Sequence, residues 1–402
     1  MKIKPVLNFF TTNYPYNKGE TFISPELNSL SKKFSLINIF PLKAKYIDKK
    51  NKPTPVNCEV LCYNDNSIST KILLKTLVNH FFDIVKLFAI EIVAEKKIIQ
   101  KLKYSKKIFL KLVFSIACSD RVLKSINFSD TNYSFWMNEN AIALAYLKQK
   151  NKINSFSLKI HGFDIFNEVH KEQFIPFRCF VYQHAKSIYN ISKSNNEYLI
   201  SNYPKFKSKY KVDYLCTIKN IEGLNLAPDK LILCSCSNLI PIKRVHLIIE
   251  ILSFVKIPFH WFHIGSGHLE EELKTKAEDK LPAHSYTFLG QLTNIQVQQF
   301  LASQPISFFI NTSSSEGLPV SMMEAISYGI PLIGTNVGSV KEIILSNTGL
   351  LLDVNFNSID VANKVSSYFE KHIFASIKER KNIYEFWNSN FNADNKKESL
   401  IL

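Results

Sequence analysis

The sequence predicts an α/β protein made of two doubly wound parallel sheets in tandem. Three observations predict it: a length of 402 residues, two separate series of short apolar runs alternating with helical patterns, and a stretch between them dominated by Lys, Asn and Pro. A chain this long exceeds what one hydrophobic core usually serves, so two domains are expected. Strands alternating with helices are the mark of βαβ units. The division is placed at 215/216, within the stretch from Pro204 to Asp229. It gives a first domain at 1–215, a second at 216–380, and a helical tail at 381–402 expected to pack back toward the first domain.

In the first series, Val6–Phe10 and Phe34–Phe40 are short apolar runs bounded by polar residues and read as buried strands. Between them a helix runs from Ser24 to Leu30, with Ser24 as N-cap and Pro25 at the first helical position. Residues 70 to 126 read as long helices, and Ser157–His161 and Ser187–Ser192 as further strands. The second series opens with a strand at Leu231–Ser235 and a helix from about Arg244 to Val255. Phe259–Ile264 follows, ending in Gly265-Ser266-Gly267, then Tyr286–Leu289, Ile306–Ile310, Pro331–Gly334 and Gly349–Leu352. The segment from Tyr368 onward is polar and helical, anchored by Trp387 and Phe391.

An apolar fraction of 46% and a charged fraction of 21% suit a soluble enzyme. Met1 to Pro5 lead straight into Val6–Phe10 without a cleavage site, so no signal peptide is expected. No window reaches the roughly 18 apolar residues of a spanning helix. The cysteines (58, 62, 118, 179, 216, 234 and 236) are scattered and mostly within apolar runs, which reads as reduced buried thiols of a cytosolic protein. They show no zinc-ligand spacing. The net charge is +16, and half of it falls between Lys71 and Phe128, where 12 basic residues face four acids among Leu, Ile, Val and Phe. Basic helices with apolar faces suit the anionic inner surface of a membrane. A solvated charged face on core helices explains the same pattern. Nucleic acid is disfavoured because no binding motif accompanies the charge.

The segment richest in chemistry runs from Asn311 to Pro331. A strand ends at Ile310, a polar loop follows, and a helix starts near Pro319, which is tolerated there because it donates no N–H. Gly329 ends the helix and Pro331 prevents its continuation. The free N–H groups of Leu318, Val320 and their neighbours then point out of the helix start, a geometry that binds phosphate. Glu316 lies just before the helix and Glu324 about one and a half turns into it. Two acids flanking a phosphate site suggest a ligand with hydroxyls on both sides of a diphosphate, as in a nucleotide sugar. A first-turn acid complementing the helix dipole, plus an ordinary surface Glu, fits the same spacing.

The E-x7-E spacing of Glu316 and Glu324 is followed by Ala325-x-x-x-Gly329-x-Pro331, with Gly334-Thr-Asn-Val-Gly338 behind it. Together these resemble the donor-site signature of the retaining family 4 (group 1) glycosyltransferases, of the bacterial polysaccharide-biosynthesis type. The resemblance implies the GT-B fold, two Rossmann-like domains facing a central cleft. It assigns Glu316 to donor-sugar hydroxyls, Glu324 to the ribose, and the backbone from Gly317, Leu318, Pro319 and Val320 to the diphosphate. Asn238 to Arg244 is similar to the family's R-L-x-x-x-K-G segment, whose Arg and Lys hold the diphosphate. Lys243 fits; Asn238 stands where the Arg is usual, and Arg244 where the Gly is. Gly265 falls in the family's glycine turn, and Gly290 in the segment facing the nucleobase.

In the first half, Ile160-His161-Gly162-Phe163-Asp164 resembles the H-G-x-D of polysaccharide-building members, which implies a catalytic-site role for His161 against the donor sugar. Tyr14 to Phe22 resembles the acceptor-side loop after the first strand, with Gly19 alone where the family often has two glycines. Tyr133 to Trp136 also recurs in relatives and reads as a core aromatic cluster. The implied reaction is transfer of a hexose-type unit from a nucleoside diphosphate sugar to a glycan or polyprenyl-linked acceptor, with retention, in capsule, O-antigen or exopolysaccharide synthesis. No D-x-D motif calls for a metal, and no cofactor beyond the donor is implied. The expected location is the cytoplasm, peripheral on the inner face of the membrane. Two other readings stay open: a nucleotide-sugar epimerase of the same fold, and a non-catalytic protein that binds sugar nucleotide or glycan.

Overall fold

A computed structural model describes residues 5–16, 19–43, 52–61, 68–94 and 98–395. Lys18, Cys62, Lys96, Lys97 and the tail beyond residue 395 lie outside the described residues. The chain divides into two compact units between Asp213 and Tyr214.

The first unit holds a seven-stranded parallel sheet: β1 (Val6–Thr11), β2 (Leu36–Pro41), β3 (Cys58–Val60), β4 (Thr131–Ser134), β5 (Phe156–Ile160), β6 (Ser187–Asn190) and β7 (Tyr210–Val212), in the order β3-β2-β1-β4-β5-β6-β7. Helices α1 (Ile23–Ser31), α2 (Thr70–Asn79), α3 (Phe81–Val93), α4 (Ile98–Lys103), α5 (Ser105–Val122), α6 (Glu139–Gln149), α7 (Gly162–Ile165), α8 (Arg178–His184) and α9 (Lys193–Asn202) connect the strands. The second unit repeats the plan with β8 (Leu231–Cys236), β9 (Phe259–Ile264), β10 (Tyr286–Phe288), β11 (Phe308–Asn311), β12 (Leu332–Thr335) and β13 (Gly349–Leu352), in the order β10-β9-β8-β11-β12-β13. Its helices are α10 (Val245–Ser253), α11 (Glu270–Lys280), α12 (Asn294–Ser303), α13 (Val320–Ser327), α14 (Ser358–Glu370) and α15 (Ile377–Asn390). Strand order reverses between β1 and β4 in one sheet and between β8 and β11 in the other. In doubly wound sheets, ligands bind at the carboxyl ends of the strands beside such switch points.

Both strand series form as the apolar runs predict, with boundary shifts of one or two residues. The first helix begins two positions early: its N-cap is Phe22, and Ser24 donates to the Tyr14 hydroxyl at 3.3 Å instead of capping. The first core gathers around α5 and α6, where Leu112, Ile116, Ile142 and Leu144 are buried against Leu158 and Ile188 of the sheet. Burying each such side chain contributes about 1.5–3 kcal/mol. β5 also carries a buried cation: Lys159 Nζ contacts Asp213 at 2.9 Å and Glu26, which in turn accepts from Tyr133 at 2.6 Å. An ion that deep is tolerated because it is paired and hydrogen-bonded.

The segment expected to start a separate tail at 381 is instead built into the second unit as α15. Arg380, fully buried, donates to the carbonyls of Asn225, Ile306 and Phe374, and Trp387 Nε1 donates to Thr217 Oγ1 at 2.7 Å. Those bonds fasten the helix to Thr217, Asn225, Ile306 and Phe374 of its own unit.

Candidate nucleotide-sugar site

At the switch point of the second sheet, β8 and β11 lie side by side in parallel, Leu233 opposite Phe308 and Cys234 opposite Phe309. The turn after β8 and the loop after β11 are stitched together. The backbone N–H of Ser314 donates to the Ile242 carbonyl at 2.8 Å. Arg244, in left-handed backbone conformation at φ 47°, donates Nε to the Thr312 carbonyl at 2.8 Å and Nη2 to that of Ser313 at 3.3 Å. Its Nη1 reaches the Val354 carbonyl at 3.0 Å. The guanidinium thus shapes the two loops.

Within this frame, three donors converge on one oxygen of Glu316. Oε1 accepts from Lys243 Nζ at 2.7 Å, Ser313 Oγ at 2.7 Å and Asn311 Nδ2 at 3.2 Å. Oε2 has no partner among the described residues. The side chain is 9% exposed. Gly317 follows, its carbonyl accepting the N–H of Ser339 at 3.1 Å. Gly338 lets the chain pass this close: at φ +53°, a Cβ there would lie 1.8 Å from the Glu316 carbonyl oxygen. Leu318 is buried, Pro319 is the N-cap, and Val320 starts α13 with no side-chain cap on its N–H groups. An uncapped helix start with a lysine beside it has the donors and charge that suit an anion. Glu324 lies buried in α13, its Oε1 accepting from Asn294 Nδ2 at 2.5 Å. Burial pushes its carboxyl up to about 7, against the lowering effect of that bond. The same burial, with Glu324 nearby, raises the Cys236 thiol to about 12.

The remaining predicted positions fall on the turns around this site. Asn238 is exposed on the turn after β8. Gly265, at φ +132°, follows β9 so tightly that a Cβ would meet the Ser237 carbonyl oxygen at 2.0 Å. Its N–H donates to the Gly290 carbonyl at 2.8 Å. Sequence reasoning gave no role to Asn311, Ser313 or Asn294. The first two stand at the end of β11 and in the polar loop after it, where the Ser313 N–H donates to Asn311 Oδ1 at 2.9 Å, whereas nothing near Asn294 announces it.

Residues 217–386 match the family model of glycosyl transferases group 1. The match lies within the second unit and covers less than half of the chain. A stretch of 140 residues is 33% identical to the Escherichia coli O-antigen biosynthesis glycosyltransferase WbnH, and equally to the probable O-antigen biosynthesis glycosyltransferase WbiN. It takes in 33% of this chain and spans only 38% of each relative's length. Over 97% of both chains, the fold resembles the lipopolysaccharide outer core galactosyltransferase WaaB in its apo form (TM-score 0.66, 14% identity). It also resembles Anabaena HepE in complex with UDP (TM-score 0.62, 13% identity, 97% of this chain and 96% of that one). The architecture is the GT-B fold.

In the first unit, His161 is 7% exposed, at the carboxyl end of β5. Its ring centre lies 4.2 Å from that of Trp136 and 5.0 Å from that of Phe135, and neither ring nitrogen has a hydrogen-bond partner. Nδ1 lies 3.6 Å from the buried Asp164 carboxylate, so Nε2 is the ring nitrogen left for a ligand. Glu20 emerges here as a residue that sequence reasoning passed over. Its carboxylate accepts from the backbone N–H groups of Thr12, Asn13 and Tyr14 at 3.3, 2.7 and 2.6 Å, and from Trp136 Nε1 at 2.5 Å. Beside it a cavity of about 460 Å³ is lined by Thr12, Lys43, Lys107, Lys111, Trp136 and Asp164, among others.

Proposed function

We propose that this protein is a retaining hexosyltransferase of family 4. It moves a hexose-type unit from a nucleoside diphosphate sugar to a hydroxyl of a glycan or polyprenyl-linked saccharide, in O-antigen, capsule or exopolysaccharide assembly. The observation that carries the reading is Glu316: three donors hold one carboxylate oxygen and leave the other for a sugar hydroxyl, beside an uncapped helix start. Similarity to an O-antigen glycosyltransferase supports the setting.

In the transfer, the bond between the anomeric carbon and the diphosphate oxygen breaks and a bond to the acceptor oxygen forms. The acceptor proton leaves with the nucleoside diphosphate. The N–H groups at the start of α13 and the Lys243 ammonium stabilise the charge that grows on the departing diphosphate. Glu324 accepts from the ribose hydroxyls. No protein nucleophile is assigned. The acceptor is assigned to the cavity of the first unit, and His161 to substrate through Nε2, its Nδ1 lying 3.6 Å from the Asp164 carboxylate.

The test is thermal unfolding of wild type and Glu316→Ala with a panel of UDP-, GDP- and ADP-sugars. One donor is expected to stabilise wild type by several degrees and to leave the folded variant unmoved. No shift of the wild type with any donor would sink the reading.

A further inference from the structure

Helix α3 is apolar on both sides. Ile84 and Leu87 face the core with Phe88 and Ile92 beside them, whereas Phe82, Val85, Ile90 and Val93 are exposed. A helix apolar all round belongs in a core or against lipid. The exposed row continues on both neighbours, since α2 packs on α3 and α3 on α4. On α2, Lys71, Leu74, Lys75 and Val78 follow the i, i+3, i+4, i+7 rule for one helix face, and all four are exposed. On α4, Ile98, Ile99 and Leu102 are exposed. Phe82 and Ile99 are each 85% exposed and Val78 77%. Single apolar residues on a surface are ordinary; a row along three consecutive helices is not.

The charge on this face has one sign. Among the described residues from 68 to 110, every exposed charged side chain is a lysine: Lys71, Lys75, Lys86, Lys103, Lys106 and Lys107. The two acids among the described residues of this stretch are withdrawn. Glu91 is buried against Lys101 at 3.1 Å, and Asp83 is held by Lys150 at 2.7 Å and by the Tyr146 hydroxyl at 2.7 Å.

We propose that the exposed face of α2, α3 and α4 docks the protein on an anionic phospholipid bilayer. Phe82, Val93, Ile99 and their neighbours enter the boundary between headgroups and acyl chains, and the lysines meet lipid phosphates. A second copy of the chain is a poorer occupant, because two-fold pairing sets the same lysine-bearing face against itself. Nucleic acid would satisfy the lysines through its phosphates and leave the aliphatic row in water. The proposal does not depend on the transfer chemistry. It does bear on the acceptor: α5 begins directly after this face, and its Lys107 and Lys111 line the cavity of the first unit.

The test is co-sedimentation of the full chain with phosphatidylglycerol-containing vesicles and with phosphatidylcholine vesicles, at low and high salt. Two variants accompany it: Phe82→Gln with Ile99→Gln, and Lys71, Lys75, Lys86 and Lys103 each changed to Gln. Both alter exposed positions and are expected to keep the wild-type unfolding temperature. Wild type should bind the anionic vesicles at low salt and release them at high salt. The apolar variant should bind about tenfold more weakly. With each lysine contributing about a fivefold factor, the quadruple variant should lose more than about a hundredfold. Failure of wild type to bind anionic vesicles at low salt would overturn the proposal. So would unchanged binding by the apolar variant, or a stable dimer in sedimentation velocity that the apolar variant disperses.

Discussion

At the switch point of the first sheet, the loop after β1 presents the N–H groups of Thr12, Asn13 and Tyr14, and the chain's own Glu20 fills the concavity they make. At the switch point of the second sheet, α13 starts without a side-chain cap, and Lys243 draws Glu316 aside by one oxygen. Both places offer oriented backbone donors beyond the carboxyl ends of parallel strands, and both have an acid at hand. The placement of the acid decides the outcome. An internal carboxylate that takes the donors makes a structural lock, whereas one held beside them leaves an anion site with a hydroxyl acceptor next to it. The contrast agrees with the proposal that a donor diphosphate sits in the second unit.

Removing Glu20 tests that contrast most severely. Glu20→Ala leaves three backbone N–H groups and the Trp136 indole N–H without their acceptor. The expected loss is about 3 kcal/mol, since water re-satisfies part of what is freed. For a unit of this size that is a fall of roughly 8 °C in Tm. Inorganic phosphate should enter the emptied concavity and return part of the loss. Its stabilisation of the variant must therefore exceed its stabilisation of wild type. Equal increments in the two proteins would show that the loop is no anion site, and an unchanged Tm would show that Glu20 locks nothing.

The reasons some parts were legible in the sequence and others were not are physical. β1, β2 and β8 are mainly apolar runs with most side chains buried, so composition announces them. β4 is not, because it carries Asn132 and Ser134 in a central strand. Its polarity is satisfied laterally: Asn8 Nδ2 donates to Asn132 Oδ1 and Asp130 Oδ2, each at 3.1 Å, and Asn38 Nδ2 donates to Asn8 Oδ1 at 2.9 Å. This row of amides across β2, β1 and β4 hides a strand from any apolar-run criterion. β3 and β7, three residues each at the sheet edges, are too short to stand out. Of the pair the structure brings together, Glu316 was legible from its place just before a helix start, and Lys243 from its likeness to the family's R-L-x-x-x-K-G segment. Glu20 was not, because it meets its donors only after the chain turns back through a left-handed residue, Glu20 itself at φ 52°. Its fourth donor, Trp136, comes from 116 positions away.

Glu324 sharpens the contrast from the other side, as a carboxyl with a single side-chain donor, Asn294, in a buried setting. Its folded-state value of about 7 stands above the unfolded value of about 4.3. The folded chain therefore holds a proton that the unfolded chain has released across that window. Stability falls as pH rises through it, and the full cost is present above pH 7. Glu324→Gln should accordingly be more stable than wild type at pH 8, by about 2 kcal/mol, and indistinguishable from it near pH 4. If Glu324 meets the ribose as proposed, the variant should also bind donor more weakly, because a neutral amide with one acceptor oxygen replaces the carboxylate. Chemical denaturation of both proteins across this range reads the first effect, and a pH-independent difference would remove burial of the charge as its cause.

The smallest effect is a gain. Asn238 is exposed on the turn that also carries Lys243. Asn238→Arg adds a second cation beside the start of α13 without touching the core, so folding should not change. An exposed charge acting on a bound diphosphate is worth less than about 1 kcal/mol, so donor affinity should tighten by up to about fivefold at low salt. The gain should fade as salt is added. Titration calorimetry with the donor found in the thermal panel, at two salt concentrations, measures both. A cation placed on the loop after β1 should leave donor affinity unchanged, because the anion there belongs to the chain. If Asn238→Arg also leaves it unchanged at low salt, the diphosphate does not sit at α13, and the two switch points differ for some other reason.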